Sequence, residues 1–249
     1  EVKPDTRIVF ELSCHQLEYM TVSPHIGILV NIHEEHLDHY GTMEKYVEAK
    51  QRIFRNQKKD DILICNVQCL PESAICPSTL LKAGVNEPDT ELCVAEEPDG
   101  TWIHFHHKAY RIPAEEIRLL GQHNYFDIGV VYGVCSILGM DDGAFTAGLK
   151  TYEPLPHRLQ YLGERDGVKY YDDSISTICD TTIQALKTLK DTDTVLIGGM
   201  DRGIDYRELI DQKGEPLERV VCDYISGMTD KDSMDKFNQI FVPKCWPVY

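Results

Sequence analysis

The sequence is short of positive charge. Lys and Arg number 25 against 41 Asp and Glu, a formal net charge of -16. That balance argues against bulk attraction to nucleic acid or to an anionic membrane surface. An anionic ligand must instead be held by a few placed basic groups, by backbone N–H groups or by metal ions. No run of 18 apolar residues occurs in the 249 residues, so no transmembrane helix is expected. The opening Glu1-Val2-Lys3-Pro4-Asp5 lacks the apolar stretch of a secretory signal. The nine cysteines are odd in number and scattered; Cys65 and Cys69 are the closest pair, and no C-x-x-C exists. A zinc ribbon or a disulfide scaffold is therefore disfavoured, and a reducing cytoplasm suits the chain. Internal repeats and low-complexity segments are also missing.

What is present reads as α/β alternation. Residues 7–12 (RIVFEL) and 26–32 (IGILVNI) are apolar runs expected as buried strands of a parallel sheet. Between Thr42 and Asn56, apolar residues recur at helical spacing, and Thr42 with Lys45 makes a partial capping box. Residues 61–65 predict a short strand. Residues 71–111 hold short β-like runs such as 101–105. Residues 121–140 predict a helix apolar on most sides, and 141–149 a second. A Pro-bearing stretch at 152–156 reads as a linker. Beyond it come β runs at 159–162 and 168–171 around Asp166-Gly167, a helix at 181–189 and a strand at 194–197 leading into Gly198-Gly199. A second α/β domain is expected from about residue 152.

Several polar residues sit where such a fold binds ligands. Glu11 ends one expected strand and His36 follows another, and side chains beyond the carboxyl ends of parallel strands face the ligand crevice. A carboxylate and an imidazole there can hold a hard cation such as Mg2+. The plainer alternative is a surface carboxylate and a solvated loop. Lys50, taken alone, is an exposed helix lysine. His123-Asn124 opens a helix whose free N–H groups suit anions, or Asn124 is simply its N-cap. Arg158, in a linker, offers the planar fork that matches phosphate, or is a surface residue.

Five ordered segments carry a resemblance. They are Glu11-Leu12-Ser13-Cys14-His15-Gln16-Leu17-Glu18 with Ser23-Pro24-His25 and the run from Asn31 to Lys50; Gly121-Gln122-His123-Asn124; Leu155-Pro156-His157-Arg158; Asp172-Asp173-Ser174-Ile175-Ser176-Thr177; and Gly198 to Tyr206. Over about residues 1–212 the chain resembles the Mur ligase family, in particular its D-glutamate-adding members. The resemblance implies an ATP-dependent amide ligase of peptidoglycan biosynthesis that works through an acyl phosphate, with UDP-N-acetylmuramoyl-L-alanine, D-glutamate and ATP as partners. It also implies that Glu11 binds the Mg2+ that bridges ATP phosphates, and that His36 and a carbamylated Lys50 serve a second metal. In this reading Glu11, His36 and Lys50 are the catalytic group. Asn124, Arg158 and Asp173 bind ATP, while His36, His157, Thr177 and Arg202 contact substrate. Two positions depart from the family pattern: Asp127 stands where Asn is frequent, and Ile175 where Lys is.

The implied fold is the later part of a P-loop-type central domain with a mainly parallel sheet (1–151), then the start of a Rossmann-like α/β domain (152–213). The family's phosphate cradle, G-x-x-x-x-G-K-[ST], does not occur in these 249 residues. The expectation is a truncated ligase with little activity alone. Residues 214–249 are expected as a helical tail of different origin, because Arg219 to Asp230 resembles the C-terminal part of bacterial deoxyguanosine-triphosphate triphosphohydrolases. The His and Asp metal motifs of that hydrolase family are not found upstream, so no such activity is expected of the tail. The join near Lys213–Pro216 fits a gene fusion or an assembly error equally. A non-catalytic α/β remnant and a triphosphohydrolase fragment remain the alternative readings.

Overall fold

The computed structural model describes residues 3, 6–176 and 179–196. It divides into two units, residues 1–119 with 123–152, and residues 120–122 with 153–249; each is described by itself.

The first unit is built on a six-stranded sheet in chain order: β1 (Ile26–Leu29), β2 (Ile62–Asn66), β3 (Thr79–Val85), β4 (Leu92–Glu97), β5 (Gly100–Phe105) and β6 (Lys108–Arg111). The pairs from β1 to β4 are parallel, and those from β4 to β6 antiparallel. A parallel pair normally needs a long crossover. Between β1 and β2 that crossover contains α2 (Leu37–Tyr40) and α3 (Met43–Arg55). Between β3 and β4 the connection is short, and the register explains why. Ala83 pairs with Leu92 and Val85 with Val94, so β4 starts beside the end of β3 and the chain steps back only two residues. Asn86, at φ 55, makes that reversal, and its N–H donates to the Val94 carbonyl.

One face of the sheet is covered by α4 (Gln122–Ile137) and α5 (Asp142–Thr151). Leu92, Val94, Ile103 and Tyr132 are at most 1 % exposed, and burial of each such side chain stabilises by about 1.5–3 kcal/mol. Gly133 lets α4 sit directly on the strands, since a Cβ there would lie 2.7 Å from Leu92 Cδ1. Facing the other side, α3 buries Ile53 and Phe54 against Leu29, Leu63 and Cys65, and α1 (Cys14–Leu17) adds Leu17. α3 starts where the sequence indicated, with the Thr42 hydroxyl accepting from the Lys45 N–H.

The expected strand at residues 7–12 does not form. Residues 6–12 carry no regular structure, and Val9 is 98 % exposed. An apolar run becomes a strand only when a neighbour accepts its ladder bonds. Among the described residues β1 pairs only with β2, and Ile28 on β1 is half-exposed.

In the second unit β7 (Gln160–Arg165) and β8 (Val168–Asp172) form an antiparallel hairpin. Asp166 and Gly167 both have positive φ, as a two-residue hairpin turn requires. α6 (Cys179–Thr188) follows. The strand expected at 194–197 is not found in residues 194–196, which carry no regular structure. Thr177, the Gly198-Gly199 loop, Arg202 and the tail at 214–249 lie outside the described residues. Among the described residues no helix is long and apolar enough to cross a membrane.

Candidate functional site

The first motif is organised by its own polar residues. Ser13 is the N-cap of α1: its hydroxyl accepts from the Gln16 N–H, and the Gln16 side chain accepts from the Ser13 N–H, a full capping box. Ser23 performs a second local task. Its hydroxyl donates to the Arg52 carbonyl at 2.8 Å and accepts from the Asn56 N–H at 3.0 Å, fastening the end of α3 to the entry of β1.

His36 and Lys50 come together around Tyr46. The Tyr46 ring is buried, the Lys50 Nζ stands 5.2 Å from its centroid, and the His36 ring centroid lies 6.4 Å away. Lys50, half-buried on α3, donates from Nζ to the Asn31 carbonyl at 3.1 Å. Asn31 is two residues beyond the end of β1, so Lys50 reaches the carboxyl edge of the sheet, where α/β proteins hold ligands. Burial pushes the Lys50 pKa below the usual lysine value, and the nearby Cys14, Glu35 and Cys69 oppose this only in part. Burial, with Cys14 and Glu35 nearby, pushes the Tyr46 phenol up to about 12. His36 itself has a left-handed backbone, φ 56 and ψ 28, and its carbonyl accepts from the N–H groups of His39 and Tyr40 to start α2. A non-glycine residue held there costs of order 1 kcal/mol or more, a feature that concentrates at functional sites.

Glu11 does not join this group as expected. It lies in the irregular exposed segment before α1, and not at a strand end. Among the described residues it makes no hydrogen bond or ion pair, to His36, Lys50 or any other residue.

Asn124 is the third residue of α4, which excludes the N-cap reading; its Nδ2 meets His123 Nε2 at 3.1 Å. In the second unit His157, at φ 64, meets Asp172: His157 Nδ1 and Asp172 Oδ2 are 2.7 Å apart. His157, with the Ser174 N–H, holds the Asp172 carboxyl down to about 2. Asp173 accepts from the Leu159 N–H through Oδ1 and from the Ser176 hydroxyl through Oδ2. These two carboxylates fasten the loop that carries exposed Arg158 to the end of β8.

Sequence reasoning missed Gln57. This buried side chain donates to the carbonyls of Pro24 and Ile62 and accepts from the Ser78 hydroxyl, joining the starts of the first three strands. A polar residue after a helix carries no signal of such a role. Asn66 was missed too; it donates to the Val30 carbonyl and accepts from the Gln68 N–H at the opposite, carboxyl edge. A cavity of about 550 Å3 lies along α3, lined by Met43, Glu44, Val47, Glu48, Gln51 and Arg55. None of its lining residues is a candidate, and its shallow wall of long side chains brings no reactive groups together.

Comparison with known proteins identifies the family and the fold. The family model described as Mur ligase middle domain matches residues 3–135. A second, described as phosphohydrolase-associated domain, matches residues 203–239. UDP-N-acetylmuramoylalanine--D-glutamate ligase of Staphylococcus aureus (strain Newman) is 36% identical over 215 residues, 84% of this chain and 46% of the relative. The chain thus spans about half the length of the curated relatives it matches. Among solved structures, MurF from Acinetobacter baumannii aligns with a TM-score of 0.60 at 15% identity, covering 89% of this chain and 55% of that one. MurF ligase from Thermotoga maritima, in complex with ADP, aligns with a TM-score of 0.58 at 16% identity, covering 77% and 45%. At these identities the solved structures establish the fold, and the middle-domain match establishes the family: the chain belongs to the Mur ligases.

Proposed function

We propose that this chain carries part of the machinery of an ATP-dependent ligase that joins D-glutamate to UDP-N-acetylmuramoyl-L-alanine in the cytoplasmic stage of peptidoglycan synthesis. Residues 1–151 then belong to the central ATPase domain, 152–213 to the start of the C-terminal domain, and 214–249 to a tail of different origin. In the reaction the precursor carboxylate attacks the γ-phosphorus of ATP and ADP leaves. The D-glutamate amine then attacks the acyl carbon, phosphate leaves, and the amine gives up a proton. Such chemistry needs positioning and charge neutralisation more than covalent help.

The observation that carries this reading is Lys50. It is a half-buried amine of lowered pKa at the carboxyl edge of the sheet, against the same Tyr46 ring that His36 approaches. As an ammonium it would repel a cation. As a neutral amine it adds to CO2 and, losing one N–H proton to solvent, gives a carbamate, an oxygen anion that suits Mg2+. Glu11 would hold one Mg2+, and His36 with carbamylated Lys50 would serve a second. Mg2+ bound there supplies neutralisation of phosphate charge. In the first unit Asn124 is assigned to ATP; in the sequence of the second, Arg158 and Asp173 are assigned to ATP and His157, Thr177 and Arg202 to the substrates.

In a protein that contains these residues and turns over, Lys50→Ala lowers phosphate release by about 100-fold, as removal of one charge-stabilising group does. A short carboxylic acid partly restores it. Unchanged turnover in Lys50→Ala removes Lys50 from the mechanism.

A further inference from the structure

Cys14, His15 and His36 form a second donor cluster. Cys14 Sγ lies 3.4 Å from His15 Nδ1. The His15 and His36 rings meet edge to face with centroids 4.9 Å apart. One ligand atom from each of the three falls within 4.8 Å of the others, with Cys14 buried and both histidines exposed. An independent feature points into the same place. Tyr40 is 6 % exposed, and no nitrogen or oxygen satisfies its buried hydroxyl, which has only the weakly accepting Cys14 thiol beside it. Burial first, and then the adjacent Cys14 thiol, push its pKa upward. A buried hydroxyl without a strong partner is costly. A thiolate at Cys14 would accept from it, the outer support that metal-bound cysteines use.

We propose that Cys14, His15 and His36 bind a borderline-soft divalent cation of the Zn2+ class through one thiolate and two imidazole nitrogens, leaving a fourth position open. Bond lengths of about 2.0–2.1 Å to nitrogen and 2.3 Å to sulfur put tetrahedral ligands roughly 3.3–3.7 Å apart. The Cys14–His15 pair already has that spacing. The remaining distances close by about 1 Å through rotation of exposed imidazoles. A sulfur–nitrogen set selects such an ion over Mg2+, which prefers oxygen. Binding releases the Cys14 thiol proton to solvent. Because His36 also belongs to the hard-cation set above, a zinc-class ion withdraws that imidazole from it and would inhibit.

The test is Zn2+ titration of the reduced, metal-free 249-residue chain against a chromogenic chelator, with Co2+ absorption as a second readout. One Zn2+ binds, and Co2+ shows a thiolate charge-transfer band. Cys14→Ser and the exposed, fold-safe His15→Phe each weaken binding at least about tenfold, in the range found when a metal site loses support. Cys14→Ser also abolishes the band. Cys69→Ser and Glu11→Gln stay within about twofold of the parent, and excess Mg2+ does not displace the ion. Absence of stoichiometric Zn2+ binding, unchanged affinity in His15→Phe with native circular dichroism, or a loss that follows Cys69→Ser instead overturns the proposal. Glu11→Gln removes a carboxylate of the ligase reading and no zinc donor, so failure of either reading leaves the other standing.

Discussion

At the scale of single residues, Lys50 and Gln57 are both polar groups taken out of water, but Lys50 is the one proposed for chemistry while Gln57 is held by structure. Lys50 has one hydrogen bond and a pKa lowered by burial. Its neutral fraction rises as pH rises through that lowered value, and carbamate formation with it. Trapping with an alkylating reagent under CO2, followed by mass spectrometry, should find the adduct on Lys50, more of it at higher pH, and none in Lys50→Arg. Gln57 by contrast has both ends of its amide engaged. Gln57→Leu should destabilise by about 1–3 kcal/mol in chemical denaturation, because two carbonyls and a hydroxyl lose their partner in a dry place. The sequence displayed the motif containing Lys50 but gave no hint of Gln57. Periodicity reports which residues are apolar, and it is silent on a polar side chain two of whose three partners lie 21 and 33 residues away. His36 was legible as a residue type, and its left-handed backbone was not.

At the scale of elements, α4 and the β7–β8 hairpin make opposite demands. α4 was plain in the sequence because its apolar residues run all round it, and the structure covers it on the sheet side through Gly129 and Gly133. Gly133→Ala should cost about 1–3 kcal/mol by overpacking against Leu92. Gly148→Ala, on α5 with nothing within 4 Å of the added methyl, should instead stabilise by about 0.4–1 kcal/mol. Paired thermal melts check both. The hairpin depends on charge. The Asp172 carboxyl, held at about 2 by His157 and the Ser174 N–H, lies below its unfolded value of roughly 3.9. Its stabilisation is complete above that value and is lost as pH falls toward 2. Acid titration should therefore loosen the second unit over that window, and Asp172→Asn should flatten the dependence. The apolar run at 7–12 is the instructive failure: composition could not reveal that no ladder partner is described beside it.

At the scale of the whole molecule, the charge of -16 makes each placed cation count. ATP and a dicarboxylic amino acid would be held against that field by Mg2+, Arg158 and Arg202. β1 and β2, the crossover carrying Lys50 and the hairpin were readable because strands, a capped helix and an Asp-Gly turn each leave local signals, whereas β3 was not singled out. The antiparallel extension β4–β6 was legible only as scattered β runs, since its order depends on pairing between distant segments. The central claim is that these residues serve a D-glutamate-adding ligase. Its most direct measurement is phosphate release from ATP by a protein containing this segment, with each substrate omitted in turn. The account predicts release only when ATP, UDP-N-acetylmuramoyl-L-alanine and D-glutamate are all present, with weak or no turnover by the 249-residue polypeptide alone, which holds no G-x-x-x-x-G-K-[ST] cradle. Release that is indifferent to D-glutamate, or triphosphate liberated from dGTP instead, would contradict it.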